Sequence, residues 1–597
     1  MTAGIVLIVS GERGRPVSEP EIEAFARDFE SLRGPGRRHA AAAASSRLIK
    51  IDGELAQRPG IETSESSWAA ATGLLYHDGP LVGAQPEQLD GQFGYVSYDA
   101  GRGELVVASD PFGMHGLFVA EREGRTYVCT SALALAKHVG AQPSRLGLRI
   151  FLHAGAHFGT MTNWEGVERL DPGTCLRFNG GSVRRETYWR PAVDPDVSRL
   201  GFKAAVEHGV EASTEAFRAQ LAGRSGAWSD LTGGFDSRLL TLLLRNAGMR
   251  FRTNTVGDSG EDDVRIAREV AGKAGWEWSQ LVLPADWPQQ LPGWLRPALA
   301  WGDGMLDAVQ LGGVTWGHAE KGRHGRFLVG GGGGEHFRGH AWRQQFPNAG
   351  RSSRVNMDNW IDMRLLHPPI AREVLAEPSV DDIRDDFRRR MMARVAPYSG
   401  ARNTTQLDVL QAYKTTGHFG AYQAAAGAFV LSALPFYTKP VFTAAFSTDY
   451  RHRNHHRLMR HMIWRLDPGV AALETDTGGP AEPWRVTNLP RFWPYYRKLG
   501  RQAAGKLSRK ALGRSLPARR PEGEPSVVAA RLALLEHLAR EGVLRHEHMR
   551  ARSLYDPRAL EGLLRRAGEP GFTGSALLGR IVTIELALRE AGAELEG

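Results

Sequence analysis

The sequence predicts an α/β chain in two parts: an N-terminal α+β half made of two packed sheets with helices outside, and a C-terminal half built on a parallel sheet with helices. Three observations predict it. Short apolar runs broken by glycine crowd the first 190 residues, and strands alternate with amphipathic helices beyond residue 200. Early in the second region, Ala227-Trp-Ser-Asp-Leu-Thr-Gly-Gly-Phe-Asp-Ser-Arg238 reads as a buried strand, a glycine turn and a helix. At 597 residues the chain exceeds a single core, and domains are expected over 1–190 and 200–597.

Apolar content of 42% and charged content of 24% are those of an ordinary globular protein. Cys129 and Cys175 are too few for a disulfide framework or a Cys-rich zinc site. The start, Met1-Thr-Ala-Gly-Ile-Val6, lacks the basic n-region of a signal peptide, so a cytoplasmic location is expected. The formal charge of +9 would suit nucleic acid, but Arg and Lys are scattered and no reader motif accompanies them, so no nucleic-acid partner is expected. Residues 415–438 carry no charge over a length that could span a bilayer, yet include His418, Gln423 and Pro435. They are expected to form a buried core helix, with no membrane span.

In the first half, Gly4-Ile-Val-Leu-Ile-Val9, Gly94-Tyr-Val-Ser-Tyr98, Leu105-Val-Val-Ala108, Leu117-Phe-Val-Ala120, Tyr127-Val-Cys129 and Gly173-Thr-Cys-Leu-Arg-Phe178 predict strands. Helical periodicity is confined to residues 66–75 and 131–137. In the second half, 227–231 is the first strand, Phe251-Arg-Thr-Asn-Thr-Val256 is the next, and 261–271 is an amphipathic helix with an acidic first turn. Alternation of this kind places ligands at the carboxyl ends of the strands. Residues 506–520 read as a solvated basic loop, and 577–588 as an amphipathic helix.

The chemistry concentrates in two strings. In the first, Gly233 and Gly234 lack a Cβ, so their amides can close on an anion while the helix from Ser237 aims its positive end at the same point. Thr232 and Ser237 add hydroxyl donors. Asp236 is out of place among anions unless a cation intervenes, which marks it as a Mg2+ ligand. No GK[ST] follows, and the string is no GxGxxG turn. The second string, Phe327-Leu-Val-Gly-Gly-Gly-Gly-Gly-Glu-His-Phe-Arg-Gly339, is a strand, five glycines and an acid.

The first string resembles the SGGxDS pyrophosphate loop of ATP pyrophosphatases, with Thr232 in place of the first Ser. Leu89-Asp-Gly-Gln-Phe-Gly-Tyr95, Asp110-Pro-Phe-Gly113, Thr130-Ser131, Pro172-Gly173 and Tyr188-Trp189 are similar, in order and rough spacing, to the glutaminase domain of class B asparagine synthetases. The resemblance covers nearly the whole chain. It implies an Ntn-hydrolase-like αββα sandwich, then an adenine nucleotide alpha hydrolase-like sheet carrying the PP-loop, with ATP and Mg2+ as cofactors. Nucleotide contacts are implied for Leu231, Thr232, Gly233, Gly234, Asp236, Ser237, Val256 and Gly331. Val256 and Gly257 lie where the family packs adenine, and Asp262 or Asp263 would face the ribose unless it only caps a helix. The second string resembles SGEGSDExFGG and puts Glu335 on the metal-binding Asp, making Asp236 and Glu335 the metal ligands. The uncharged helix, ending in Leu434-Pro-Phe-Tyr437, matches the one leading to RxPFLD. Where the family carries a Lys for pyrophosphate, this chain has Glu474-Thr-Asp-Thr-Gly-Gly479, leaving Arg238, Lys414, Lys439 or an Arg of the tail to do that work.

The departures set the expected chemistry. Family amidotransferases expose an N-terminal Cys as nucleophile, whereas positions 2 and 3 here are Thr2 and Ala3, and Ile51-Asp-Gly-Glu-Leu55 keeps only the outline of NGEIY. The first domain is expected to be a relic. Gly332 replaces the Glu of asparagine synthetases and the Tyr of β-lactam synthetases, and the glycine run is expected to make room for a bulky substrate. An ATP site without an ammonia source implies that an amine on the substrate itself attacks an adenylated carboxylate. Of the branches with that chemistry, the chain is most similar to lasso-peptide cyclases, then to β-lactam synthetases; asparagine synthetase and a non-catalytic scaffold are the remaining readings. The implied partners are a precursor core peptide, a leader peptidase and a leader-binding protein. Asp236 and Glu335 are the expected catalytic pair, with His336 a candidate for taking the amine's proton. Glutamine is therefore expected to give no glutamate; glutamate production that Thr2→Ala abolishes would overturn this.

Overall fold

The computed structural model describes residues 4–11, 15–224, 226–345, 348–350, 354–366, 373–498, 500, 525–569 and 571–596. Thr2, Ala3 and the basic run 506–520 lie outside the described residues.

Two six-stranded antiparallel sheets pack face to face in the first half. One runs Val167–Arg169, Phe118–Arg122, Arg125–Cys129, Gly4–Ser10, Ser46–Asp52, Arg37–Ala43 across its width. The other runs Ser182–Thr187, Thr174–Asn179, Glu104–Ser109, Asp90–Asp99, Ser67–Tyr76, Glu62–Ser64. Alternation along Gly4–Ser10 explains the layering. Ile5, Leu7 and Val9 meet Val96, Val107 and Leu176 of the facing sheet. Val6 and Ile8 turn outward beneath Phe25 and Phe29 of helix Glu19–Arg33 and Leu133 of helix Ala132–Val139. The first of these helices, like Arg145–Ala154, lies outside the two stretches expected to be helical; it begins where Glu21 reaches back to the Ser18 amide, 2.8 Å away, in a capping box.

Residues 66–75, expected to be helical, form the Ser67–Tyr76 strand instead. Its Ala-rich centre suits a helix locally. In the fold it is paired on both sides and buried on both faces, where small side chains fit, and tertiary packing overrides propensity.

The second half is a five-stranded parallel sheet in the order Trp278–Leu281, Phe251–Val256, Ala227–Asp230, Phe327–Val329, Leu431–Ala433. The fifth strand corrects the expectation of one uncharged helix over 415–438: helix Asn403–Ala426 ends there, and the backbone re-emerges as Leu431–Ala433. The closing helix, Ser575–Ala591, is buried on nearly every side rather than amphipathic, because it threads between Leu133, Leu148, Leu299 and Leu311. Among the described residues no helix is long and apolar enough to cross a membrane.

Buried polar contacts fasten the halves together. Arg33 reaches Asp303 at 2.8 Å, with both side chains under a tenth exposed, and stacks over Trp301. Asn163 donates to the Gly304 carbonyl at 2.8 Å, and Gln92 donates to the carbonyls of Leu434 and Tyr437. Breaking a buried pair from one side strands the other charge, so Arg33→Met is expected to cost about 3–5 kcal/mol, read as a lower urea midpoint. An unchanged midpoint would contradict this.

Candidate active site

The strand order reverses between Ala227–Asp230 and Phe327–Val329, and an open parallel sheet collects its ligands at such a point. Each of these strands runs into one of the two glycine strings. Leu231 extends the first strand, its amide donating to the Asn254 carbonyl at 2.9 Å. Gly234 then caps helix Phe235–Asn246, which puts Asp236 in the helix's first turn. Thr232 and Ser237 share a hydroxyl contact at 3.0 Å. The Gly233 amide donates to Asp263 Oδ1 at 2.9 Å and the Gly234 amide to Thr232 Oγ1 at 3.2 Å, so protein oxygens stand where phosphate oxygens are expected. Val256 is exposed at the carboxyl end of the neighbouring strand.

The second string folds onto the first. A Cβ at Gly331 would lie 3.3 Å from the Ser237 nitrogen, and one at Gly334 only 2.9 Å from the Asp236 Cβ. Gly333 has φ +98 and would meet Phe436 at 2.8 Å. Gly331 and Gly334 are needed for close approach to the helix and Gly333 for packing on Phe436, so at these positions the run serves packing rather than the room for substrate that was expected.

The approach brings Asp236 and Glu335 to one cleft, with Arg338, His340, Arg364, Lys414 and Phe419 along its walls. Arg338 holds Asp236 through both oxygens, Nε to Oδ1 at 2.9 Å and Nη2 to Oδ2 at 2.6 Å. Burial pushes the Asp236 pKa up, Arg338 opposes the rise, and the neighbouring Glu335 adds to it. Glu335 Oε2 accepts from the Gly333 amide at 2.9 Å.

His336 does not join this cleft. Its ring packs against Tyr437 and Phe442, with centroids 5.8 and 4.7 Å away, and burial lowers its pKa to about 4. The short turn that aims Glu335 inward sends the next side chain into the aromatic core, so His336 is withdrawn as proton acceptor. Of Arg238, Lys414 and Lys439, Lys414 lines the cleft, its pKa lowered by burial and then by Arg364, while the basic run of the tail lies outside the described residues. Arg238 is buried on the carbonyls of Val470, Leu473 and Glu474, and Lys439 Nζ donates to the Glu87 carbonyl.

Two residues were missed from sequence. Arg338 follows Glu335 by three positions and reads as an ordinary surface cation. Asp476, whose amide donates to the Gly233 carbonyl at 3.0 Å, sits inside the acidic stretch noted only for its missing Lys.

Two family models match the chain, one described as a glutamine amidotransferase domain over residues 81–189 and one as asparagine synthase over 211–468. The chain is asparagine synthetase-like. Its N-terminal sandwich is the Ntn fold of glutamine amidotransferases, and its parallel sheet belongs to an asparagine synthase domain. No curated protein matches it. Among solved structures it is similar to the glutamine phosphoribosylpyrophosphate amidotransferase from B. subtilis complexed with ADP and GMP, at 10% identity over 48% of this chain and 70% of that one, TM-score 0.22. It is also similar to a structure described as the allosteric regulatory enzyme of purine biosynthesis, at 12% identity over 47% of this chain and 80% of that one, TM-score 0.22. Neither likeness bears on the site.

The asparagine synthase domain supports an ATP-dependent amide-bond-forming ligase in general, and its family uses ATP, typically with Mg2+. The residues present fit such an ion: two hard carboxylates border one cleft, and a guanidinium already stands on one of them as a cation. Among the described residues no group of three or more metal-ligating side chains converges, so Mg2+ here would complete its shell with phosphate oxygens and water. Asp236→Ala and Glu335→Ala are each expected to slow ATP-dependent AMP formation by ~10²-fold or more. His336→Phe should leave it near the unsubstituted rate. AMP release that survives both acid substitutions would remove the pair from the chemistry.

Proposed function

We propose that this asparagine synthetase-like chain is an AMP- and pyrophosphate-forming ligase that activates an Asp or Glu side chain of a precursor peptide and closes a macrolactam ring with the peptide's own N-terminal amine. The observation that carries this reading is the composition of the cleft. Asp236, Glu335 and Lys414 share it with Ala154, Ala156 and Phe158 from the first half, so a cationic contact and an apolar wall lie together. A peptide that presents a carboxylate on an apolar backbone finds both.

ATP supplies the adenylyl group that makes the carboxylate carbon electrophilic. Mg2+ at Asp236 and Glu335 would supply charge compensation for the phosphates. Thr232 and Ser237 hold phosphate through their hydroxyls, the start of the helix Phe235–Asn246 adds its positive end, and Lys414 orients the substrate carboxylate. The apolar first-half residues exclude water that would hydrolyse the activated acid. No strong base is called for, since a tethered amine reaches effective concentrations on the order of 10⁵ M or more when held in line.

With ATP, Mg2+ and a leaderless peptide that offers a free N-terminal amine and an Asp or Glu side chain within ring-closing distance, the protein is expected to yield a product lighter by one water, with one AMP and one pyrophosphate per ring. Changing the acceptor Asp or Glu to Asn or Gln should abolish closure. An unchanged peptide mass beside rapid AMP release with a small β-amino acid would move the activity to β-lactam formation.

A further inference from the structure

The ion pair between Arg338 and Asp236 differs from two fully enclosed pairs of the second half and the domain junction in that it opens on the cleft. Arg453–Asp408 and Arg33–Asp303 are shut inside the protein, their side chains 2–7% exposed. Arg338 and Asp236 are 18% and 25% exposed, and both line the cleft. A pair that only held the fold together would gain nothing from opening on a ligand site.

We propose that Arg338 is the resident counter-cation of this site: it occupies Asp236 when no divalent ion is bound, competes with that ion for the carboxylate, and once displaced turns its guanidinium onto the phosphates of ATP. This rests on the ATP-site reading above. The geometry supports each part. The guanidinium covers both Asp236 oxygens, so a metal ligating this carboxylate has to share or replace it. A displaced and poorly solvated guanidinium needs another anion at once. Phosphate offers the same two-oxygen face that the fork now grips, and the start of helix Phe235–Asn246, where anions are favoured, is one residue from Asp236. The backbone has no need to move, because the turn Gly334–Arg338 is bracketed by Gly333 at φ +98 and Gly339 at φ +60, and a side chain at Gly339 would strike Trp342. The exchange belongs to the side chain alone. Arg338 is thereby a positioning residue for the metal and a contact for the phosphates, two roles that pull in opposite directions on substitution.

The test measures Mn2+ binding to the full-length protein by electron paramagnetic resonance, first without nucleotide and then with ATP, alongside pyrophosphate release. Arg338→Gln frees Asp236, so nucleotide-free Mn2+ affinity is expected to rise about tenfold, the scale of one lost charge-assisted contact, while pyrophosphate release falls. Arg338→Lys, which keeps the charge without the fork, should fall between the two in both measurements and guards against misfolding of the Gln variant. Mn2+ affinity that is unchanged or weaker in both variants overturns the proposal while leaving the ATP site standing. Unsubstituted protein that binds no Mn2+ with or without ATP overturns the ATP-site reading and this inference with it.

Discussion

Everything in the cleft depends on like charges being brought close together. The second glycine string lies so near the helix Phe235–Asn246 that Gly334 touches Asp236, and this approach sets Glu335 beside the same carboxylate. The repulsion is relieved by Arg338 inside the protein and by the positive end of the helix beneath. The charge of Asp236 is thus balanced by a side chain of the protein itself.

The surrounding fold reads as support for that approach. Arg238, on the same helix as Asp236, draws the carbonyls of Val470, Leu473 and Glu474 inward, which holds the turn bearing Asp476 against the glycine turn at Gly233. The sandwich of the first half contributes a wall of the cleft and the anchors Arg33, Gln92 and Asn163. The first domain thus has a structural part in the cleft.

Much of this was legible in the sequence for local reasons. Strands announced themselves as apolar runs between glycines, and the strand, glycine turn and helix over 227–246 were readable because their pattern is contiguous. What escaped was set by distant partners. Ser67–Tyr76 looked helical from its alanines until its two neighbouring strands are known. Arg338 and Asp476 carry no local mark, since their roles come from residues 102 and about 240 positions away. His336 failed in the opposite sense: adjacency to Glu335 in sequence became opposition in space once the turn alternated their directions.

The glycine string also has an unequal distribution of freedom. Of its five glycines, Gly332 alone would carry a Cβ that meets nothing nearer than 3.4 Å, and those neighbours are Leu434 and Phe419, the latter on the cleft wall. The other four are fixed by contact with helix, strand and aromatic core. Position 332 is thus the one place in the string where a side chain could be added beside the cleft without displacing the helix, the strand or the aromatic core.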